Sequence, residues 1–262
     1  MDDHGTEVRQ QALTLLRGGA RNRDVAQMLN VPSGTISYWK HMDLAKRGEC
    51  PGRRQASSQC PRCEGTDFDE VAYAYLLGLY LGDGHIVSRH KQHHLSVYCN
   101  ATQVGLIDAA EDAMRRVLPQ PRTGRRQRAG CVEVKSYTQH WVCLFPQHGP
   151  GKKHERRIAL EAWQQRIVDA HAWEFVRGLV HSDGCRLVNW TSRVVRGEKK
   201  RYEYVRYFFT NVSDDIRRLY TDALDKLGVE WTHCTRAGRP YNISVARRDS
   251  VALMDAHIGP KY

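Results

Sequence analysis

The chain has 262 residues, enough to bury one large core or several small ones, and no run of about 18 apolar residues that would span a bilayer. Its 40 Lys and Arg against 29 Asp and Glu leave a formal charge of +11. Such a balance suits a polyanionic partner, nucleic acid first, because neutralising phosphates releases counterions.

The opening MDDHGTEVRQ lacks the basic-then-apolar order of a secretory signal. A cytoplasmic, nucleoid-associated protein of bacterial type is therefore expected. Its eight cysteines would be reduced, serving as metal ligands or small core residues.

Residues 1–42 read as a small all-α unit. In EVRQQALTLLRGG, Val8, Ala12, Leu15 and Leu16 share one face, and Gly18-Gly19 ends the helix. NRDVAQMLNV predicts a second helix, capped by Asn22 and turning Val25, Met28 and Leu29 inward. After a turn over Asn30–Pro32, PSGTISYWKHM starts a third, with Ser33 as cap and Ile36 and Trp39 as its buried pair. DVAQMLNVPSGTISYWK resembles the bacterial helix-turn-helix, in which the third helix enters the major groove. That would send Ser33, Thr35, Ser37, Tyr38 and Lys40 to bases and phosphates; the alternative is a bundle used for protein contacts.

Residues 43–70, rich in Pro, Gly, Ser, Gln and Arg, read as a linker or a zinc knuckle. Cys60-Pro-Arg-Cys63 has the C-x2-C spacing with which two thiolates grip one tetrahedral Zn2+. Cys50 is the candidate third ligand and His41 the fourth, against two plain thiols in a linker.

Residues 71–262 read as one unit used twice, repeat 1 over 71–148 and repeat 2 over 171–262. An apolar helix ending near Asp83 leads into strands in HIVSR and HLSVYCNAT, the helix GLIDAAEDAMRRVL, the Arg-rich RTGRRQRAG, the strand CVEVKSY and a short helix in HWVCLF. In the same order, a helix ending at Asp183 leads into RLVNWTSRVV, YEYVRYFFTNV, the helix SDDIRRLYTDALDKLG, EWTHC, YNISVARR and SVALMDAHI. Between them, at 149–170, lies a basic insertion whose GPGKKHERR predicts an exposed loop. Cys99, Cys131, Cys143, Cys185 and Cys234 are expected as core fillers.

Gly78 and Gly178 stand mid-helix, where Gly costs about 1 kcal/mol against Ala, a cost tolerable where two backbones must approach closely. Packing the two helices together would bring Asp83 beside Asp183 at the negative ends of both helix dipoles. A divalent cation, Mg2+ for an oxygen donor set, would remove that repulsion. Paired carboxylates holding metals can then activate water against phosphodiester bonds.

LLGLYLGDG (76–84) and VRGLVHSDG (176–184) resemble the nine-residue motif of single-chain LAGLIDADG homing endonucleases at its Gly, central Leu and final Asp-Gly. Leu81 and His181 stand where the motif often has a first acid. The resemblance implies an α+β, pseudo-two-fold αββαββα body with saddle-shaped antiparallel sheets laid along double-stranded DNA. It also implies that Asp83 and Asp183 hold Mg2+ and that a monomer suffices for cleaving both strands. Family nucleases place a basic residue on a late strand of each half, here Lys135 and either Arg247 or Arg248.

Outward groove readers would include Arg89, Lys91, Gln92, His93 and His94 in repeat 1. Repeat 2 would offer Asn189, Thr191, Arg193, Arg196, Lys199, Lys200, Arg201 and Tyr204, while Arg122, Arg125, Arg126 and Arg128 grip phosphates. Two functions fit: a site-specific, Mg2+-dependent DNA endonuclease, or a cleavage-inactive regulator that uses the same saddle to read DNA. Neither takes a small-molecule substrate or a membrane.

Overall fold

The computed structural model describes residues 5–47, 60–89, 92–236, 238–259 and 261, and the chain divides into two compact units, Met1–Ser58 and Gln59–Tyr262. No helix among the described residues is long and apolar enough to cross a membrane.

Among its described residues the first unit holds three helices: α1 (Thr6–Arg17), α2 (Asn22–Met28) and α3 (Ser33–Lys46). Ala12, Leu16, Val25, Ala26, Val31, Ile36 and Trp39 form its core, so the predicted Ile36–Trp39 pair is the buried pair. Met28, expected inward, is 68% exposed. The short α2 stops there, and Ala26 takes the inward position next to Val25. Asn30 adopts a left-handed φ of 49° and the Val31 N–H bonds the Ala26 carbonyl at 3.0 Å, a helix stop that Asn tolerates better than a β-branched residue. Asn22 does not cap α2; its amide donates to the Ser37 hydroxyl at 3.0 Å.

The second unit begins with a four-residue helix, α4 (Pro61–Glu64), and then α5 (Glu70–Gly82). Asp69 caps α5 by accepting from the Ala72 N–H at 2.8 Å. Every residue from Ala72 to Leu81 is buried, which explains an apolar pattern without a polar face: this helix lies inside the core. Strands β1 (Gly84–Arg89), β2 (Gln92–Asn100), β3 (Thr123–Arg128) and β4 (Cys131–Ser136) form an antiparallel sheet in the order β1-β2-β4-β3. Helix α6 (Val104–Val117) lies between β2 and β3 in sequence, and α7 (Trp141–Leu144) follows β4. The Arg-rich stretch expected to grip phosphates is therefore itself a strand, β3.

The second half repeats this order. After α8 (Ala162–Ala170) come α9 (Ala172–Asp183), β5 (Gly184–Val195), β6 (Glu198–Thr210), α10 (Asp214–Lys226), β7 (Thr232–Arg236), β8 (Arg239–Val245) and α11 (Arg248–Ile258). Its sheet is ordered β5-β6-β8-β7, the same topology as the first. The α+β architecture with two four-stranded antiparallel sheets is thus as expected from the sequence.

The halves meet along α5 and α9. A methyl group at Gly78 would lie 2.8 Å from the Gly178 Cα and 2.7 Å from the Leu179 nitrogen; one at Gly178 would collide with the Tyr75 carbonyl and lie 3.0 Å from the Gly78 Cα. Two glycines facing each other are what lets these backbones touch.

Most of GPGKKHERR is exposed as expected, but Gly149, Lys153 and Arg156 are half-buried and the rest of the insertion packs into the core. Arg156 gathers the carbonyls of Gln147, Gly149, Pro150 and Gly151 at 2.8–3.4 Å, and α8 buries Gln164, Ile167 and Val168 in the core. Gln164 donates to the Tyr73 hydroxyl at 2.7 Å, while that hydroxyl donates to the Leu144 carbonyl at 2.6 Å, so this buried polar cluster is satisfied.

Candidate active site and nucleic-acid interface

Because α5 and α9 cross at their glycines, their C-terminal ends lie side by side. Gly82 is so close to the partner helix that a methyl there would lie 3.0 Å from the Asp183 carboxylate. Asp83 is the C-terminal cap of α5 and Asp183 the last residue of α9, so the structure brings the two predicted carboxylates together.

Both carboxyls are raised above the ordinary aspartate range, desolvation leading in each. Burial raises the Asp83 carboxyl, partly offset by Lys261 and Lys153. Burial and the Asp83 charge push Asp183 up to about 6, against hydrogen bonding from Asn211, whose amide donates at 2.6 Å, and the charges of Lys153 and Lys261. Two crowded carboxylates with oxygen-only donors form a set that a hard divalent cation fits, since its charge would remove the penalty of ionising both.

The basic groups at this centre were not foreseen. Lys153 reaches under the end of α5 and donates its Nζ to the Leu81, Gly82 and Gly84 carbonyls at 3.2, 3.0 and 2.6 Å, and also to the Tyr80 carbonyl. Lys261 does the same for α9, at the Ser182 carbonyl (3.1 Å) and the Gly184 carbonyl (2.7 Å). Each ammonium thus sits at the negative end of a helix, supplying the favourable charge that the aspartates lack there. Burial brings the Lys153 ammonium down to about 8, although Asp183 and Asp83 favour its charged form. Each lysine follows the last helix of its half in a Gly-Pro-containing tail, GPGKK (149–153) and GPK (259–261). That shared tail was the available sequence signal.

Lys135 and Arg247 each pair with a glutamate. Lys135 lies on the outer face of the first sheet, 3.2 Å from the Glu133 carboxylate. Burial alone would raise Glu133, but hydrogen bonds from Lys135, Tyr98 and Ser96 hold it down to about 2. The strand register makes Ser244, not Arg247, the counterpart of Lys135: Val97 pairs with Val134 and Ser96 with Lys135, while Phe209 pairs with Ile243 and Phe208 with Ser244. Arg247 instead precedes α11 and pairs with Glu230 at 3.0 Å on the surface.

His181, at the motif position often acidic, is buried and neutral. Its Nε2 faces the Ile258 carbonyl at 3.1 Å and must donate there, so Nδ1 accepts from the Tyr75 hydroxyl at 2.9 Å. Burial, with Arg177 and Lys261 nearby, lowers this imidazole to about 4. It serves as a joint between α5, α9 and α11.

Strand alternation gives each sheet one apolar and one polar face. Ile86, Leu95, Val97, Val132 and Val134 are buried on the inner face of the first sheet, so His85, Arg89, His94, Lys135, Arg126 and Arg128 share the outer one. Lys91 falls outside the described residues. The predicted phosphate grip divides: Arg125 and Arg128 are exposed but paired, Arg125 with Glu111 and Asp108, both at 2.6 Å, and Arg128 with Glu133 at 3.2 Å. Arg122 and Arg126 are exposed. Arg126→Ala is therefore expected to lower the slope of log affinity for DNA against log salt by about 1, leaving stability unchanged. Arg125→Ala is expected to destabilise the fold instead, by about 1 kcal/mol or less, since the pair is partly solvated and Arg115 and Thr123 still bond Glu111; denaturant titration separates the two outcomes.

In the second half, β8 pairs only with Tyr207–Thr210 of β6, so most of the β5–β6 ribbon extends past its neighbours. Arg193, Arg196, Lys199, Lys200 and Arg201 surround its tip and are exposed; Arg196 (φ 54°) and Gly197 (φ 84°) make the two-residue turn. Arg201 pairs with Glu203 at 2.7 Å and lies over the Trp190 ring at 5.0 Å. In the separate N-terminal unit, Ser33, Ser37 and Tyr38 are exposed and Thr35 and Lys40 half-buried on α3.

Of the residues expected to hold zinc, Cys60 and Cys63 have neighbours that the sequence did not suggest. Cys60 and Cys63 are gathered with His140 and Cys143, all four ligand atoms lying within 4.8 Å of one another. Cys50 falls outside the described residues, and His41 belongs to the N-terminal unit. Cys143 is thus no core filler; of the others so expected, Cys99 is buried, Cys131 and Cys234 are half-buried and Cys185 is exposed.

No family model matches the sequence. No curated protein matches it either. Among solved structures, the homing endonuclease I-DmoI in complex with DNA and Mn is similar over 74% of this chain and 99% of that one, at 13% identity and a TM-score of 0.48. The homing endonuclease I-WcaI bound to its DNA recognition sequence is similar over 80% of this chain and 89% of that one, at 11% identity and a TM-score of 0.49.

Proposed function

We propose that the protein is a site-specific, double-stranded DNA endonuclease that hydrolyses both strands with Mg2+ held by Asp83 and Asp183. The observation that carries this reading is the meeting of two carboxylates at the ends of crossing helices, Asp183 half-buried and Asp83 open to solvent, each helix end also bound by a lysine. When bound, the cation lowers the pKa of a water and neutralises charge on the scissile phosphate. Asn211 orients Asp183 by its amide hydrogen bond, and Lys153 and Lys261 supply fixed positive charge where a phosphodiester would gain negative charge. The outer faces of the sheets would lie along the major groove, with His94, Arg126 and Arg206 among the side chains facing it.

The test starts from a duplex selected for binding out of a random library, incubated with Mg2+ or Ca2+. Mg2+-dependent breaks in both strands, absent with Asp83→Asn, support the reading; tight binding without cleavage in either metal overturns it. Lys153→Met is expected to slow cleavage about 10²–10³-fold with DNA affinity nearly unchanged, measured in single-turnover reactions.

A regulator that reads DNA without cutting is the second reading. It is favoured by the separate three-helix unit, whose α2, turn and α3 follow the helix-turn-helix pattern and would supply a second reader that a nuclease does not need.

A further inference from the structure

We infer that Cys60, Cys63, His140 and Cys143 form a structural zinc site that ties the start of the second unit to the end of its first half. The four residues come from two matching turns. Cys60 is the N-terminal cap of α4 and Cys63 lies three residues on, the Cys63 N–H bonding the Cys60 carbonyl at 3.0 Å. His140 caps α7 in the same way, with the Cys143 N–H bonding the His140 carbonyl at 3.0 Å. Each turn presents its first and fourth side chains on one side, and the two turns face each other.

The spacing of Cys63, His140 and Cys143 has the size of one face of a zinc tetrahedron, and Cys60 Sγ lies within 4.8 Å of all three. Zn–S bonds of about 2.3 Å and a Zn–N bond of about 2.0–2.1 Å give edges of about 3.8 Å between sulfurs and about 3.5 Å from sulfur to nitrogen. The observed Cys63–Cys143 Sγ distance is 3.7 Å, and His140 Nδ1 lies 3.5 Å from Cys63 Sγ and 3.8 Å from Cys143 Sγ. A disulfide between Cys63 and Cys143 would need sulfurs about 2.05 Å apart, far closer than they stand. Three thiolates and one imidazole fill four positions and leave none for water, so the site suits structure and not catalysis.

Its place in the fold defines what it does. Cys63 stands just before α5, and Cys143 just before the segment that Arg156 organises and that delivers Lys153 to the end of α5. Zinc would thus anchor both ends of the path around α5, without contributing to the Asp83–Asp183 pair.

The full-length protein, purified under reduction, should carry about one zinc per chain by elemental analysis. Reconstitution with Co2+ should give tetrahedral d–d bands and the charge-transfer band of thiolate ligands. Cys63→Ser and Cys143→Ser should lose the metal, whereas Cys50→Ser and His41→Ala should keep it. Cys143→His, which preserves a ligand, should retain tetrahedral Co2+ with a weaker thiolate band, so the site stays testable where a serine variant fails to fold. Absence of metal from protein that is folded and reduced overturns the inference, as does zinc that persists in a folded Cys143→Ser variant. These readouts do not depend on DNA cleavage, so the endonuclease reading can fail without them.

Discussion

Gly178→Ala should destabilise the second unit by about 3 kcal/mol or more, measured as a fall in the urea midpoint. Ordinarily this substitution in a helix gains up to about 1 kcal/mol, because Ala restricts the unfolded chain and favours the helix. Here the added methyl would meet the Tyr75 carbonyl and stand 3.0 Å from the Gly78 Cα, all backbone atoms with no rotamer to yield. Relief requires the helices to separate, which would open contacts along a buried seam. Gly78→Ala meets the same obstacle from the other side, with the Phe175 carbonyl at 2.5 Å. At Gly34 in α3 nothing lies within 4 Å, so Gly34→Ala should not destabilise its own unit. A neutral result at Gly178 would show that α5 and α9 do not cross here.

Asp183→Asn is expected to abolish cleavage, by at least about 10³-fold, while making the metal-free protein more stable. Asn keeps the shape and removes the charge that burial and Asp83 penalise. A carboxyl near 6 in the folded state against 3.8 unfolded means that the folded form holds the extra proton between those values. Stability is therefore lost as pH rises from about 4 to about 6, and the loss persists above, to an extent of about 2–3 kcal/mol. His181 acts in the opposite sense: its folded value of about 4 against 6.5 means stability is lost as pH falls through that window. The two slopes oppose each other in the wild type, so the readout is the difference between Asp183→Asn and wild type. That difference should be near zero at pH 4 and favour the variant at pH 7, and saturating Mg2+ should shrink it by stabilising only the wild type. A wild type as stable as the variant at pH 7 without metal would mean the carboxylates are not crowded.

What could be read from residues alone was local or repeated. Asp83 and Asp183 were legible because each closes an apolar helix before Gly, and Gly78 and Gly178 because glycine mid-helix has a cost that asks for a reason. Ile36 and Trp39 followed from helical spacing. Lys153 and Lys261 were not legible because they lie past the last helices, where no periodicity constrains direction, and only the tertiary fold turns them under α5 and α9. His140 and Cys143 were missed because their partner Cys63 lies 77 and 80 residues away and because WVCLF reads as apolar core. The pairing of Arg125 with Glu111 was not legible for a related reason: it depends on strand register, and an Arg-rich run shows no strand period.

The two sheets are not equal in reach. β5 has 12 residues and β6 has 13, whereas β1 has 6 and β2 has 9. At about 3.4 Å per residue, the 6 additional residues of β5 over β1 extend about 20 Å further, close to the rise of six base pairs. Their outer faces also differ, with His94 in one half at the register position of Arg206 in the other. A chain built this way has no use for a palindrome: under the proposed function, its preferred duplex would be lopsided, with base preferences continuing several pairs further from the cut on the side that β5 and β6 follow.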